Sequence, residues 1–395
     1  MANLLDKASI LLTPTAYDNG SMLSIKPTNG DGDFTFSRNG DASRVNSSGN
    51  IVTEGANLPR INYENGCGSY ILEDESTNLI AYSNDYADAY WEKASAGSGI
   101  APIVTSNYAI SPDGTQNADR IKFDATTSGS NNDRSRIRTT LTLVDGADYT
   151  FSFYAKSTNG TDQKIGVLFD NSRISNETIT SEWQRFESTA QQTLTSSICG
   201  LDLRGGSAST SDILVYGIQI EQNSYATSYI PTSGASSTRN RDLASGSGNS
   251  TLINSTEGVL YAEIATLANS VPTQRLALSS GNNTNRIYLQ FSTTLNRIFV
   301  SVVSETDPNP VAEMGHTLSN ITNFNKIAVK YKQDDFALWI NGVEVATDNS
   351  GATPLGLSEL AFNDGNGDLP FFCKTKALAV FPYLTDAELT ALTTI

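Results

Sequence analysis

Residues 217–234 read "GIQIEQNSYATSYIPTSG", the end of an alternating run that begins at Ile213. Leu214, Tyr216, Ile218 and Ile220 fall on one face of this run, and Ile213, Val215, Gln219 and Glu221 on the other. A period of two is the signature of a half-buried strand. Beyond Glu221 the chain passes, with no helical or turn cluster, through two tyrosines and an Ile-Pro into a Ser/Thr/Gly tail. Such a segment is either the working edge of a binding site or the seam between two β domains.

The same period recurs on both sides. "ADYTFSFYAKS" sets Tyr149, Phe151, Phe153 and Ala155 against Thr150, Ser152 and Tyr154. "NRIYLQFS" sets Ile287, Leu289 and Phe291 against Tyr288 and Gln290, and "NKIAVKYK" sets Ile327, Val329 and Tyr331 against Ala328, Lys330 and Lys332. "FALWINGVEV" reads as two strands joined at Asn341-Gly342, a pair suited to a type I′ hairpin turn. Helical periodicity is confined to the end, where "LTDAELTALTTI" carries a capping box between Thr385 and Glu388, with Leu384 and Leu389 at staple positions. The fold class expected is all-β: an N-terminal segment, two β-sandwich (jelly-roll) domains and a short C-terminal helix.

Bulk composition narrows the function. The chain has 395 residues, 38% hydrophobic and only 17% charged, with 42 acidic against 26 basic side chains and a net charge of −16. Such a surface repels phosphate backbones, so no nucleic acid partner is expected. Cys67, Cys199 and Cys373 are far apart and odd in number, with no CxxC or Cys/His spacing, and are expected as small buried hydrophobes. The N-terminal apolar stretch is interrupted by Asp6 and Lys7 and does not read as a signal peptide. No run approaches the about 20 apolar residues of a membrane span, so no membrane association is expected.

The segment 231–258, "PTSGASSTRNRDLASGSGNSTLINSTEG", is rich in Ser, Gly, Thr and Asn and reads as a boundary; a softer one lies near residues 72–78. The expected division is 1–75, 76–235, a linker at 236–257, and 258–395.

Several stretches carry a resemblance. "LLDKASILLTPTAYDNGSMLSIKP", "FTFSRNGDASRVNSSGNIV" and "NLPRINYENG" resemble the opening of fibre or appendage proteins of bacteriophages, common in phages of Bacteroidetes hosts. "ESTNLIAYSNDYADAYWEKA", "YTFSFYAKS" and "GIQIEQNSYATSYIPT" resemble the carbohydrate-binding-module-like jelly roll of that class. "FALWINGVEV" and "FFCKTKALAVFPYLTDAELTAL" resemble the end of a laminin-G or concanavalin-A-like domain. The resemblance implies a virion location, attachment to other virion proteins through the N-terminal segment, and a homotrimer. It also makes "YATSYIPTSG" the last strand of the middle jelly roll and its exit, with Tyr225 and Tyr229 as packing residues, and makes Trp91 and Trp183 core residues.

Catalysis finds little support. Glycoside hydrolysis needs two carboxylates across the scissile bond. The acidic clusters "LEDES" (Glu73, Asp74, Glu75) and "TDPNP" hold adjacent or isolated carboxylates, and Glu344 and Asp348 flank a hairpin without a third partner. His316 is the only histidine, and no Gly-x-Ser-x-Gly elbow is present. The expectation is a protein that is not an enzyme. Asp364, Asn366 and Asp368 in "FNDGNGDLP" gather oxygens around glycines as calcium loops do, making calcium the one cofactor suggested, against the alternative of a hairpin turn. For glycan recognition, which uses aromatic faces and short polar side chains, the candidates are Trp339, Tyr288 and Tyr225. Trp339 lies opposite Phe336, Leu338 and Ile340 on its strand, so it faces an interface, a glycan or a second packing layer. The function expected is a non-enzymatic phage virion fibre or spike that presents lectin-like domains to host surface polysaccharide. The alternatives are a purely structural virion decoration and a bacterial surface glycan-binding protein.

Overall fold

The computed structural model describes residues 4–395, apart from Asn65, Ser128 and the side chains at 307–309. Its regular elements are nearly all antiparallel strands, closed by one C-terminal helix, Asp386–Thr393.

Two five-stranded sheets form the middle jelly roll. One runs in the order Glu92–Ala96, Arg134–Thr142, Ser196–Arg204, Gln163–Phe169, Ser172–Ile179. The other runs Ile100–Ile110, Gln116–Asp124, Thr210–Glu221, Asp148–Ser157, Gln184–Gln191. Between them lies a closed core in which Tyr149, Phe151, Phe153 and Ala155 all face inward, as their alternation predicts. Trp91, 1% exposed, belongs to this core.

The strand Thr210–Glu221 departs from simple alternation. Its register against Asp148–Ser157 shifts between Ser152 and Tyr154, opposite Gly217, whose φ is +65°. This bulge changes the phase of the strand. Ile213 and Val215 before it and Ile218 and Ile220 after it all enter the core, while Leu214, Tyr216, Gln219 and Glu221 share the opposite face. The continuous alternation expected from the sequence puts Ile218 and Ile220 beside Leu214 and Tyr216; the glycine bulge moves them across. A Cβ at position 217 would meet the Tyr229 ring at 3.2 Å, so this glycine also admits the returning chain.

The C-terminal sandwich faces an eight-stranded sheet with a five-stranded one. The larger includes Val343–Asp348, Phe336–Ile340, Asn325–Lys332, Glu257–Thr266 and Cys373–Phe381. The smaller runs Asp307–Thr317, Arg297–Ser304, Arg286–Phe291, Gln274–Ser279, Glu359–Ala361. The hairpin turn at Asn341-Gly342 has φ of +50° and +87°, as a type I′ turn requires. The capping box forms, with Glu388 N–H donating to Thr385 Oγ1 and Thr385 N–H to Glu388 Oε2.

The N-terminal residues do not form the separate module expected. Ile10–Leu12 and Ser69–Ile71 pair with Cys373–Phe381, and Arg60–Asn62 extends the same sheet. Ile10, Leu12, Met22, Phe34, Phe36, Ile61, Tyr70 and Leu72 sit in the C-terminal core. Nor is 236–257 a free linker. Ser237–Arg239 pairs with Ser76–Asn78, and Leu243–Ser245 with Phe34–Ser37. Arg239, Asp242, Ser247 and Ile253 are each at most 2% exposed. The segment looked like a linker because its buried groups are mainly polar, and polar burial leaves no hydrophobic pattern. Cys199 and Cys373 are buried as expected, but Cys67 is exposed.

Among the described residues no helix is long and apolar enough to cross a membrane.

Candidate functional site

A groove of about 450 Å³ opens where the jelly roll meets the C-terminal sandwich. One wall follows from the end of the strand Thr210–Glu221. The buried Glu221 carboxylate accepts hydrogen bonds from Ser76 Oγ at 2.6 Å, Gln219 Nε2 at 2.6 Å, Thr227 N–H at 3.0 Å and the Thr227 hydroxyl. These anchors tie down both ends of residues 222–226, which bring Gln222, Asn223 and half-buried Tyr225 to the groove. Burial, reinforced by Glu73 and Asp74, pushes the Tyr225 hydroxyl above its ordinary pKa, so it stays a neutral donor and acceptor.

The facing wall comes from two segments of the C-terminal sandwich. Gln274 Oε1 accepts from Phe372 N–H at 2.8 Å, and Arg275 N–H donates to Leu369 O at 3.0 Å, which joins the segment around Pro272 to the one around Pro370. Gln274 is 4% exposed, and its Nε2 has no protein partner. A buried amide donor left unpaired costs about 1–3 kcal/mol. Arg241 and Asp74, 3.3 Å apart, complete the polar rim. The groove therefore combines rings and prolines with amide, guanidinium and carboxylate groups. That combination suits a sugar, which presents an apolar C–H face and a hydroxyl edge.

The other sequence candidates lie elsewhere. Trp339 is 7% exposed and sits in a second packing layer on the outer face of the eight-stranded sheet, beneath Leu384, Leu389 and Leu392 of the C-terminal segment and Ala8 and Leu11 near the N-terminus. The helix covers it, so it offers no open face to a glycan. Tyr288 is also 7% exposed, because the Arg275 and Arg286 guanidinium groups stand 4.0 and 5.1 Å from its ring centre. Its ring is not an open platform. The structure thus separates the three aromatic candidates and leaves Tyr225 alone in a groove.

The proposed calcium loop is a hydrogen-bonded turn. Asp364 Oδ1 accepts the N–H groups of Asn366 and Asp368 at 3.0 and 3.1 Å, and Asp364 Oδ2 takes the Arg286 guanidinium at 2.8 Å. A cation already occupies the carboxylate on which calcium would depend. Among the described residues, no cluster of three or more His, Cys, Asp or Glu is placed to hold a metal.

Two further depressions are less suited to a sugar. The outer face of the jelly-roll sheet carries Tyr154 and Tyr216 with ring centres 6.2 Å apart, and Tyr229 lies 5.3 Å from Tyr216. Ile51 of the hairpin formed by Ala42–Val45 and Ile51–Glu54 covers this cluster, and Ser43 Oγ donates to Tyr229 O at 2.5 Å. Beside it lies a cavity of about 200 Å³ lined by Arg185, Glu64, Glu187 and Lys374. Tyr229 is 3% exposed, a packing residue at a seam, whereas Tyr225, four residues earlier, is not sealed in. Trp183, expected in the core, lies half-buried at the margin of this cluster, with Nε1 donating to Ile110 O at 3.2 Å. A polar depression of about 510 Å³ holds Tyr82, Asn84 and Asp119. Tyr82 already packs on Tyr90 at 5.7 Å, Asn84 Oδ1 accepts from Gly217 N–H, and both Asp119 oxygens accept backbone N–H groups. Burial pushes the Asp119 carboxyl up to about 6.

The glutamate near the sequence boundary is structural. Glu73, 1% exposed, accepts from Arg60 at 2.8 Å and from Ser228 N–H and Oγ at 2.8 and 2.6 Å, with Arg239 Nε 3.5 Å away.

Fold and groove together define an all-β protein built on sandwiches, with a mixed aromatic and amide cleft. No family model matches the chain, and no curated protein matches it. Among solved structures, the CBM40 of a Ruminococcus gnavus IT-sialidase, bound to α2,3-sialyllactose, aligns at 17% identity with a TM-score of 0.32, covering 38% of this chain and 88% of that one. The N-terminal CBM22-1–CBM22-2 tandem of Paenibacillus barcinonensis Xyn10C aligns at 10% identity and TM-score 0.29, over 79% of this chain and 100% of that one. The enzymatically active domain of tailspike protein 4 from bacteriophage CBA120 aligns at 11% identity and TM-score 0.26, over 36% of this chain and 21% of that one.

Proposed function

We propose that this protein is a non-catalytic glycan-binding protein whose sugar site is the Tyr225 groove. The observation that carries the reading is the pairing, within one groove, of the half-buried Tyr225 ring with the buried, unpartnered Gln274 Nε2. An apolar sugar face laid on Tyr225 brings ring hydroxyls toward Gln274, Asn223 and Gln222. Two carboxylates, Asp74 and Asp148, also line the groove, but Asp74 is engaged by Arg241, which favours holding a sugar over cleaving it.

The resemblance of the sequence to phage fibre and appendage proteins supports a place on a virion surface, where the groove acts as a host adhesin. Individually weak sugar contacts gain strength there because many copies engage at once. In that setting residues 4–75 are part of the glycan-binding body, and contacts with other virion proteins fall to its outer surfaces. A homotrimer fits the same setting.

The test is titration calorimetry against host-derived neutral oligosaccharides with wild type, Tyr225→Ala and Tyr225→Phe. The expected result is about a tenfold loss, ~1.4 kcal/mol, for Tyr225→Ala, with smaller loss for Tyr225→Phe. Equal affinity in wild type and Tyr225→Ala removes the groove as the site.

A further inference from the structure

We propose a second, anion-selective site on the outer face of the five-stranded sheet of the C-terminal sandwich, where Arg275 and Arg286, held on Tyr288, bind the carboxylate or sulfate of an acidic polysaccharide. The proposal rests on the glycan-binding reading only for the kind of molecule that carries the anion.

The strands Gln274–Ser279 and Arg286–Phe291 pair so that Arg275 lies opposite Gln290, Ala277 opposite Tyr288 and Ser279 opposite Arg286. Leu276, Leu278, Ile287 and Leu289 occupy the core, so the alternate residues Arg275, Tyr288 and Arg286 project together from the other face. Both guanidinium groups stand over the Tyr288 ring, at 4.0 and 5.1 Å from its centre. Cation–π attraction fixes both long side chains without engaging their terminal donors.

Those donors are unevenly matched. Arg286 gives one nitrogen to Asp364, while its Nε has no partner. Arg275 Nε donates to Gln290 Oε1 at 2.8 Å, and among the described residues no carboxylate forms an ion pair with Arg275. Ser301, directly across from Tyr288, keeps a buried Oγ that also lacks a partner. Two cations therefore share one carboxylate on a chain whose net charge is −16. Burial and the neighbouring Arg286 both disfavour the charged Arg275, an unfavourable arrangement that a bound anion relieves. The planar guanidinium fork matches a carboxylate or sulfate in two-point contact, which an ammonium cannot reproduce.

The experiment uses the full chain and three probes: oligogalacturonate for carboxylate, sulfated dextran oligosaccharide for sulfate, and neutral dextran oligosaccharide as control. Binding is measured at about 0.02 M and about 0.15 M salt, because exposed charge contacts weaken as the screening length shortens. Wild type is expected to bind at least one acidic probe, more weakly at the higher salt. Arg275→Gln is expected to lose about tenfold or more, Arg275→Lys to recover only part of that, and Lys122→Gln on the jelly roll to bind as wild type. Matched thermal midpoints show that the variants fold. Which acidic probe responds to Arg275→Gln separates carboxylate from sulfate recognition. Tyr225→Ala tells the two sites apart: acidic binding that survives Tyr225→Ala and fails with Arg275→Gln supports the second site. Loss with Tyr225→Ala alone, or no binding of either acidic probe by wild type, overturns it whether or not the groove holds neutral sugar.

Discussion

At the scale of single residues, five buried charged side chains form a network that the sequence did not signal. Arg38 and Arg60 both reach Asp242, Arg60 and Arg239 reach Glu73, and Glu73 N–H donates to Asp242 Oδ2 at 2.9 Å. All five are at most 2% exposed. Burial alone raises the Glu73 carboxyl, but Arg239, Arg60 and the Ser228 hydroxyl and amide outweigh it and hold the group well below the usual carboxylate range. The unfolded chain therefore takes up this proton at higher pH than the folded protein does. The stabilisation is full above the ordinary carboxylate pKa and drains away as pH falls below it. Glu73→Gln leaves Arg60 and Arg239 short of a buried partner and is expected to cost roughly 3–5 kcal/mol at neutral pH. Urea midpoints recorded from pH 7 down to pH 3 check this: wild type loses stability faster than the variant, and parallel slopes refute the assignment. No local pattern marks such a network, because it joins residues 38, 60 and 73 to residues 239 and 242. The site residues illustrate the same limit. Tyr225 was nameable as an aromatic beside a strand exit, but Gln274 and Phe372 were not, since each joins the groove from a distant strand end.

At the scale of elements, alternation was readable wherever one sheet face meets a core. Tyr149 to Ala155, Ile287 to Phe291 and Ile327 to Tyr331 all took the faces their period assigns. Reading failed at Gly217, where one positive-φ residue reverses the phase of a strand that otherwise looks regular. The helix Asp386–Thr393 was readable for a different reason, since its capping box is complete within four residues. Which residue it covers was not, because Trp339 lies on another strand. With Leu384, Leu389 and the Lys7–Glu388 ion pair, the helix closes a layer over the eight-stranded sheet. Thr385→Ala removes the acceptor for Glu388 N–H and is expected to destabilise the protein by about 1 kcal/mol. Thr385→Ser, which keeps the hydroxyl, is expected to restore most of it. Equal urea midpoints for wild type and Thr385→Ala leave the cap without a stabilising role.

At the scale of the whole molecule, the two hydrophobic cores differ in how they are assembled. The jelly-roll core draws only on residues 80–220. The C-terminal core draws on both ends of the chain: eight large side chains from residues 10–72 join those from 244–380. Each such side chain contributes roughly 1.5–3 kcal/mol on burial, before the entropy of ordering it is subtracted. Deleting residues 1–75 also strips the strand Cys373–Phe381 of its partners Ile10–Leu12 and Ser69–Ile71. A fragment of residues 76–235 is therefore expected to fold, with a cooperative thermal transition. A fragment of residues 236–395 is expected to lack one and to be digested within minutes by a protease that spares the full chain. Adding residues 1–75 in trans is expected to recover protection, because the missing strands pair antiparallel and need no connection through the jelly roll. If 236–395 alone melts cooperatively with dispersed amide resonances, the N-terminal strands are an accessory to a self-sufficient sandwich. If it does not, the jelly roll is an insertion into a sandwich made from the two ends of the chain, and the Tyr225 groove lies at the seam where that insertion returns.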